Sequence, residues 1–123
     1  MCPRRRSNLP TCLWSKEAVE SIARVFTALG EPMRLRLLDA LSTGERSVNE
    51  LVVATGTSQP NVSKHLSVLV NAGLVRGRKD GAKVCCSVAG ETPLQLIRLM
   101  QAKVRREFAQ RVKRVQNGQS PLG

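Results

Sequence analysis

The chain has 123 residues and a formal net charge of +11, from 20 Lys and Arg side chains against 9 Asp and Glu. This excess favours a polyanionic partner, nucleic acid first and an anionic membrane surface second, over a basic surface that is merely solvated. No apolar run approaches the roughly 20 residues of a membrane span, and no apolar signal-peptide core follows the basic start of the chain. We therefore expect one cytoplasmic domain with no membrane partner.

The cysteines and the single histidine restrict the chemistry further. The four cysteines are Cys2, Cys12, Cys85 and Cys86, and in a reducing cytosol they are not expected to form structural disulfides. There is no Cys-x-x-Cys pair, and His65 is the only histidine, which excludes a zinc finger. The sequence also lacks a phosphate-binding loop, a carboxylate pair and a Cys–His nucleophile pattern, so we do not expect an enzyme.

Two helices are predicted first in the chain. Ser15 is the expected N-cap of a helix from Lys16 to about Leu29, because apolar residues recur inside this segment at helical spacing. Proline is tolerated at the first position of a helix, so a second helix is expected to open at Pro32. Its leucine-rich run is predicted to stop at Gly44.

A helix-turn-helix is predicted next. Ser47, followed three residues later by Glu50, has the pattern of a capping box and starts a short third helix, which Gly56 closes. Ser58 is the predicted cap of the fourth helix, and Gly73 ends it. Two short helices joined by a tight turn form a helix-turn-helix.

Strand character follows, and then a long last helix. The pair Asp80-Gly81 is a strong signal for a two-residue hairpin turn between two short strands. Thr92 and Pro93 open a helix that runs to about Gln116. Its apolar residues recur at spacings of three and four and include Ile97, Met100, Val104, Phe108 and Val112. Few residues remain to cover this stripe, so we expect it to pair with a second chain, the alternative being packing on its own domain.

This order of elements predicts a mainly α fold with a small β-hairpin. It is the order of a winged helix-turn-helix with an additional helix at each end, and the apolar stripe makes the expected protein homodimeric. The expected organisation is a flexible basic N-terminal segment at residues 1–14, a DNA-binding and dimerisation domain at residues 15–116, and a C-terminal tail at residues 117–123.

Three segments carry a resemblance to a known family. "ALGEPMRLRLLDAL", "TSQPNVSKHLSVLVNAGLV" and "RKDGAKVCCSV", in this order, are similar to the ArsR/SmtB family of bacterial metal- and metalloid-responsive repressors, over about residues 22–90. The resemblance implies a homodimeric repressor, with its terminal helices at the dimer interface. It also implies that the protein binds double-stranded operator DNA and leaves it when an inducer binds.

The sequence departs from the two usual metal sites of that family. Where the arsenic repressors carry "CVCDL", this chain has "SVNEL", so Ser47 and Asn49 replace the thiol ligands. The second usual site draws its ligands from the last helix. Here that helix contains no histidine, and Glu107 is its only acid past the first turn. Neither usual site is therefore expected here.

The fourth helix, from Ser58 to Asn71, is expected to enter the major groove of DNA with its N-terminal residues facing the bases. Its candidate contact residues are Ser58, Gln59, Asn61, Ser63, Lys64 and His65. The amides of Gln59 and Asn61 suit bidentate contacts to adenine, whereas a phosphate contact or a packing role at the turn is favoured for His65 over metal ligation. Arg78, Lys79 and Lys83 of the wing are expected to follow a phosphate strand or enter the minor groove.

The segment "KVCCSV" places Cys85 and Cys86 side by side in the returning strand of the wing. Neighbouring side chains of a strand point to opposite faces, so Val84, Cys86 and Val88 are expected on the core side. Cys86 is then expected to be a small buried apolar residue. Cys85 is the expected exposed thiol, in a basic chain that favours its thiolate.

One regular strand does not aim both thiols at one ion, so a further ligand is needed. Cys12, and less strongly Cys2, are the remaining thiols. Cys85, Cys86, Cys12 and Cys2 are thus the tentative ligands of a thiolate-binding inducer, As(III), Sb(III) or a soft metal ion; DNA binding itself is expected to need no cofactor. The alternatives are control by thiol oxidation and a DNA-binding regulator without cysteine-based sensing.

Overall fold

Four helices and a small three-stranded sheet precede a fifth helix, which ends the described part of the chain. The computed structural model describes residues 15–118. Residues up to Ala89 belong to one compact unit and those from Gly90 onward to a second, so each unit is described by itself. The predicted N-terminal segment, with Cys2 and Cys12, lies outside the described residues, as does most of the predicted C-terminal tail. The helices of the first unit are α1 (Lys16–Leu29), α2 (Pro32–Ala40), α3 (Val48–Thr55) and α4 (Gln59–Asn71).

The predicted helix caps are present in the structure. The Ser15 hydroxyl accepts a hydrogen bond from the Ala18 N–H at 3.1 Å, and the Ser58 hydroxyl caps α4. Ser47 and Glu50 form the predicted capping box at the start of α3, satisfying two backbone donors that the helix leaves without partners. Gly56 ends α3 with a φ of 70°, a left-handed conformation that glycine adopts without steric cost.

The second helix is shorter than predicted. It ends at Ala40 rather than at Gly44, because the following residues tighten into a turn. The Ser42 N–H donates to the Asp39 carbonyl and the Gly44 N–H to the Leu41 carbonyl, the three-residue spacing that often finishes an α-helix.

A strand that the sequence did not predict completes the sheet. The strands are β1 (Arg46–Ser47), β2 (Val75–Asp80) and β3 (Lys83–Val88). They are antiparallel in the order β1-β3-β2, so β3 is the central strand. The hairpin turn lies one residue later than predicted, because Asp80 pairs with Lys83 across Gly81-Ala82. Gly81 has a φ of 64°, which suits glycine at the first turn position.

Aliphatic side chains form the core of the first unit, as expected for a chain with so few aromatic residues. The largest fully buried side chains come from α2, α3 and α4 and are Leu37, Leu38, Leu51, Leu69 and Val62. The wing joins this core at its start, where Leu74 and Val75 are buried. The core therefore fixes the position of α4 and of the base of the wing.

The second unit contains the predicted long helix, α5 (Thr92–Gln116). Lys103 and Glu107, one turn apart on this helix, form an ion pair that lowers the pKa of Glu107. Of the predicted apolar stripe, Met100, Val104 and Phe108 are more than half exposed, whereas Ile97 is half-buried. Within residues 15–118, no helix is long and apolar enough to cross a membrane.

Candidate nucleic-acid interface and cysteine pair

The helix α4 has one buried face and one open face. Val62, Leu66 and Leu69 are buried in the core, and they recur at spacings of three and four. Ser63 and Lys64 lie on the open side and are exposed, as are Ser58 and Gln59 at the start of the helix. The N-terminal half of α4 therefore presents short polar side chains and one cation, which is the surface that readers of the major groove present to DNA.

The structure separates Gln59 from Asn61. Two residues along a helix differ by about 200° in direction, so these amides lie on different edges of α4. Gln59 lines the groove beside the wing together with Ser63. Asn61 is half-buried, and its Nδ2 donates to the Thr57 hydroxyl at 3.0 Å. Asn61 thus holds the turn between α3 and α4, and Gln59 is the better placed of the two amides for a base contact.

A groove of about 500 Å³ runs between α4 and the wing. The start of α3 closes one end of it. The side chains along its walls include Asn49, Gln59, Ser63, Ser67, Lys83 and Cys86. Gly77 pairs with Cys86 across the sheet, and a Cβ at Gly77 would meet nothing within 4 Å. The groove is therefore open beside the Cys86 residue.

The three predicted wing cations do not share one environment. Lys79 and Lys83 are exposed near the hairpin tip. Arg78 instead makes a two-pronged contact with Glu45, with Nε to Oε2 at 2.8 Å and Nη2 to Oε1 at 2.7 Å. The hydrogen bond from Arg78 holds the pKa of Glu45 below its usual value. Arg78 therefore fastens the wing to the loop before β1, a partner 33 positions away that no local sequence pattern indicates.

Arg76 is a wing cation that the sequence reasoning missed. It is exposed on β2 and lies two positions before Arg78, so both side chains leave the same face of the strand. The spacing of two positions between Arg76 and Arg78 is the sequence signal that could have identified Arg76. Arg76 adds a positive charge to the wing away from the hairpin tip.

The structure corrects the expectation that His65 contacts DNA. The His65 residue is only 7% exposed, because it lies on the core side of α4 beside Val62 and Leu66. Its Nδ1 is 3.2 Å from Nη1 of Arg34 and 4.0 Å from Oε1 of Glu31. His65 therefore packs between α4 and α2 rather than at the turn between α3 and α4, and its burial removes it from the DNA-facing set.

Both wing cysteines are buried, which corrects the expectation that Cys85 is exposed. Cys85 is 9% exposed and Cys86 is 3% exposed. The unpredicted strand β1 is the reason, because it makes β3 a central strand: Cys86 pairs with Arg46 and Gly77, and Cys85 with Ser47 and Arg78. Val84, which was expected on the core side with Cys86, is 41% exposed, so this valine does not mark the buried side of β3.

Burial changes the chemistry of the Cys86 thiol. Desolvation raises the pKa of Cys86 above its ordinary value, and the neighbouring Cys85 raises it further. A thiol with a raised pKa stays protonated at neutral pH and is a poor nucleophile until a metal displaces its proton.

The described residues do not assemble a complete metal site. Within residues 15–118, no group of three or more His, Cys, Asp and Glu side chains is arranged to hold an ion. Cys85 and Cys86 leave opposite faces of β3. The predicted helpers Cys12 and Cys2 lie outside the described residues.

The fold and the groove define a winged helix-turn-helix protein of the DNA-binding class. The chain is a member of the ArsR family of bacterial regulatory proteins: the model of the "Bacterial regulatory protein, arsR family" matches residues 31–76. The crystal structure of Rv0081 from Mycobacterium tuberculosis has a TM-score of 0.71 and 32% identity to this chain. The match covers 80% of this chain and 99% of Rv0081.

Two further comparisons are informative. The chain is similar to the homodimeric winged helix-turn-helix DNA-binding domain of a possible ArsR-family regulator from Mycobacterium bovis, with a TM-score of 0.70, 34% identity, and coverage of 75% of this chain and 85% of that one. It is 45% identical over 80 residues to the "Probable mercury resistance operon repressor" of Streptomyces lividans, over 65% of this chain and 64% of the repressor. The match spans 37% and 58% of the next two curated relatives, so this chain covers less than two thirds of all three.

Proposed function

We propose that this protein is a homodimeric transcriptional repressor that binds specific operator DNA through α4 and the wing. The observation that carries the proposal is the groove between these two elements, with polar side chains along α4 and the cations Lys79 and Lys83 at the wing tip. Polar groups with both donors and acceptors read base edges in the major groove, and cations near a hairpin tip bind phosphates or the minor groove.

The contacts divide into base reading and backbone binding. Gln59 is proposed to make the bidentate base contact, with Ser63 one turn further along the same edge of α4. Lys64 is exposed on the open side and reaches a guanine edge or a phosphate. Ser58, at the N-terminus of α4, is positioned for a phosphate, because helix N-termini attract anions. Asn61 acts by holding the turn through Thr57.

The base-reading part is tested by Gln59→Ala, with Gln95→Ala as the matched control. Gln95 is the same residue type, exposed on α5. Loss of a good bidentate contact costs about 1–3 kcal/mol and relaxes the preference at one base position. We expect Gln59→Ala to relax the preference at one position of each half-site, and the control to keep it. An unchanged preference in Gln59→Ala would contradict the proposed orientation of α4.

Homodimer formation is proposed from exposed apolar faces on the terminal helices. On α1, the exposed side chains Val19, Ile22 and Phe26 recur at helical spacing. On α5, Met100, Val104, Phe108 and Val112 do the same, with Ile97 half-buried at the start of the stripe. Large apolar side chains in this pattern mark a surface that another helix covers, and the M. bovis domain is homodimeric.

We propose that a thiol-binding inducer, As(III), Sb(III) or a soft metal ion, releases the protein from DNA through Cys85 and Cys86. Cys86 lines the groove where DNA is proposed to bind, so a ligand on its sulfur competes with DNA or moves the wing. Cys12, and less strongly Cys2, would supply further thiolates. The mercury-related name of the S. lividans repressor supports this class of inducer. The alternative is release by oxidation of the same thiols.

The inducer proposal is tested in an operator-binding assay with two double variants. Cys85→Ser with Cys86→Ser removes the wing pair, and Cys2→Ser with Cys12→Ser keeps the wing pair and removes the two proposed helper thiols. Arsenite, antimonite, Hg²⁺, Cd²⁺ and Zn²⁺ are added in turn, followed by peroxide. A tenfold loss of operator affinity requires about 1.4 kcal/mol of coupling between the two ligands.

We expect the wing variant to bind operator normally and to remain bound in every titration. Release by a metal ion in the parent protein supports the inducer, and release by peroxide alone supports the redox alternative. If the wing variant releases DNA as the parent does, the sensing role of this pair is wrong.

A further inference from the structure

The guanidinium of Arg34 connects three helices at one point. Arg34 lies on α2, and its Nε donates to the Ala28 carbonyl at 2.6 Å, with Nη2 3.5 Å from the Thr27 carbonyl. Both carbonyls belong to the last turn of α1, where helix carbonyls have no partner within the helix and attract cations. The remaining nitrogen, Nη1, is 3.2 Å from Nδ1 of His65 on α4. Arg34 is thus bonded to the end of α1 and to the middle of α4.

The contact defines the role of Nδ1 of His65. Arginine is always a donor, so Nδ1 is the acceptor of this hydrogen bond. Glu31 is held in place near His65, because its carboxylate caps α2 by accepting hydrogen bonds from the N–H groups of Met33 and Arg34. Burial would raise the pKa of Glu31, but these two backbone bonds, together with smaller effects of neighbouring charges, leave the pKa lowered.

The position of His65 makes this contact relevant to DNA reading. His65 is two residues from Ser63 and six from Gln59, on the opposite face of the same helix. Rotation of α4 about its axis would break the short contact to Arg34, because the His65 residue is buried and has little space in which to follow. The hydrogen bonds of Arg34 therefore fix the rotation of α4 relative to the end of α1.

We propose that Arg34 and His65 are positioning residues that set the orientation of the recognition helix relative to α1, the proposed dimer helix. This inference rests on the proposed function. In a two-fold dimer, the orientation of α4 relative to the interface sets the distance between two recognition helices, and hence the half-site spacing that the dimer accepts. The Arg34–His65 contact is thus a determinant of operator spacing that acts through the orientation of α4.

The test compares variants that remove or keep the hydrogen-bond acceptor. His65→Leu replaces the ring with an apolar side chain that cannot accept a hydrogen bond, whereas His65→Asn keeps an acceptor oxygen near the position of Nδ1. Arg34→Met removes the donor, and Arg36→Met is the matched control, since Arg36 is an exposed arginine on the same helix. The double variant Arg34→Met with His65→Leu measures the coupling between the two residues.

Operator affinity is measured on duplexes whose half-sites are moved closer together or further apart by one base pair. We expect Arg34→Met and His65→Leu each to lose about tenfold in affinity for the preferred spacing, about 1.4 kcal/mol, and to lose the discrimination between spacings. The double variant should lose no more than either single variant, and His65→Asn and Arg36→Met should behave as the parent. Additive losses, or discrimination that survives in both single variants, would overturn the proposal.

Hydrogen exchange on the DNA-free protein keeps this test independent of the proposed function. We expect α4 amides to exchange faster in Arg34→Met and His65→Leu than in the parent and in the Arg36→Met control. If the parent prefers no operator, the proposed function fails, while faster exchange still supports the link between α1 and α4. If exchange in α4 is unchanged in both variants, the link itself is wrong.

Discussion

Two acidic substitutions on α5 should convert the proposed dimer to monomers. Met100 and Val104 are each 55% exposed in the single chain. Roughly half of the free energy of burying each side chain therefore remains to be gained when two chains associate. Full burial of such a side chain contributes about 1.5–3 kcal/mol, so each contributes about 1 kcal/mol at the interface. With two such side chains from each of two subunits, the apolar loss is about 4 kcal/mol, or about a thousandfold in the dimer dissociation constant.

The variant is Met100→Glu with Val104→Glu, and sedimentation equilibrium over a range of concentrations measures the mass. The control is Gln95→Glu with Gln110→Glu, which adds the same charges at exposed positions on the opposite side of α5. We expect the stripe variant to be monomeric at concentrations where the parent and the control are dimeric. A dimeric stripe variant would show that this face of α5 is not the interface.

Three further predictions concern the wing and its thiols. Lys79→Gln and Lys83→Gln should each weaken binding to all DNA sequences alike and lower the slope of log affinity against log salt by about one, as loss of a phosphate contact does; an altered sequence preference would contradict this role. Because burial raises the pKa of Cys86, a metal cation such as Cd²⁺ must displace a proton from it, so the apparent affinity for Cd²⁺ should fall by up to about tenfold for each unit of decreasing pH. A Cd²⁺ affinity that is independent of pH would exclude Cys86 as a ligand of this ion. The same raised pKa means that the contribution of Cys86 to the free energy of unfolding is retained below the pKa of an unfolded cysteine and is lost as the pH rises through the folded pKa. Thermal unfolding of the parent and of Cys86→Ser between neutral and alkaline pH would reveal this loss.

The helices were predictable because their signals are local. Ser15, Ser47 and Ser58 lie next to the segments they cap, and the apolar spacing of α4 already separates its buried face from its open one. The resemblance to the ArsR family rests on the same segments, and the family membership is confirmed. Local hydrogen bonds and helical periodicity were therefore enough to predict α4 and its two faces.

The environment of the cysteines was not predictable, because it depends on a non-local pairing. The strand β1 has two residues, too few for an alternation pattern, and it pairs with a strand about 40 positions later. Without β1, β3 is an edge strand and Cys85 is expected to be exposed; with it, both thiols are buried. The partners of Arg78 and His65 were hidden for the same reason, since Glu45 and Arg34 are 33 and 31 positions away.

Selection of binding sites by the parent protein from a random pool of duplexes is the most direct test of the central claim, that α4 and the wing together read operator DNA. A two-fold dimer of a winged helix-turn-helix should enrich an inverted repeat whose half-sites lie about 10–10.5 base pairs apart or at a multiple of this distance. Binding to the enriched site should exceed binding to unrelated DNA by about a thousandfold or more at physiological salt. A pool that shows no enriched sequence, with affinity that depends only on salt, would contradict the account and leave a basic protein that binds polyanions without reading them.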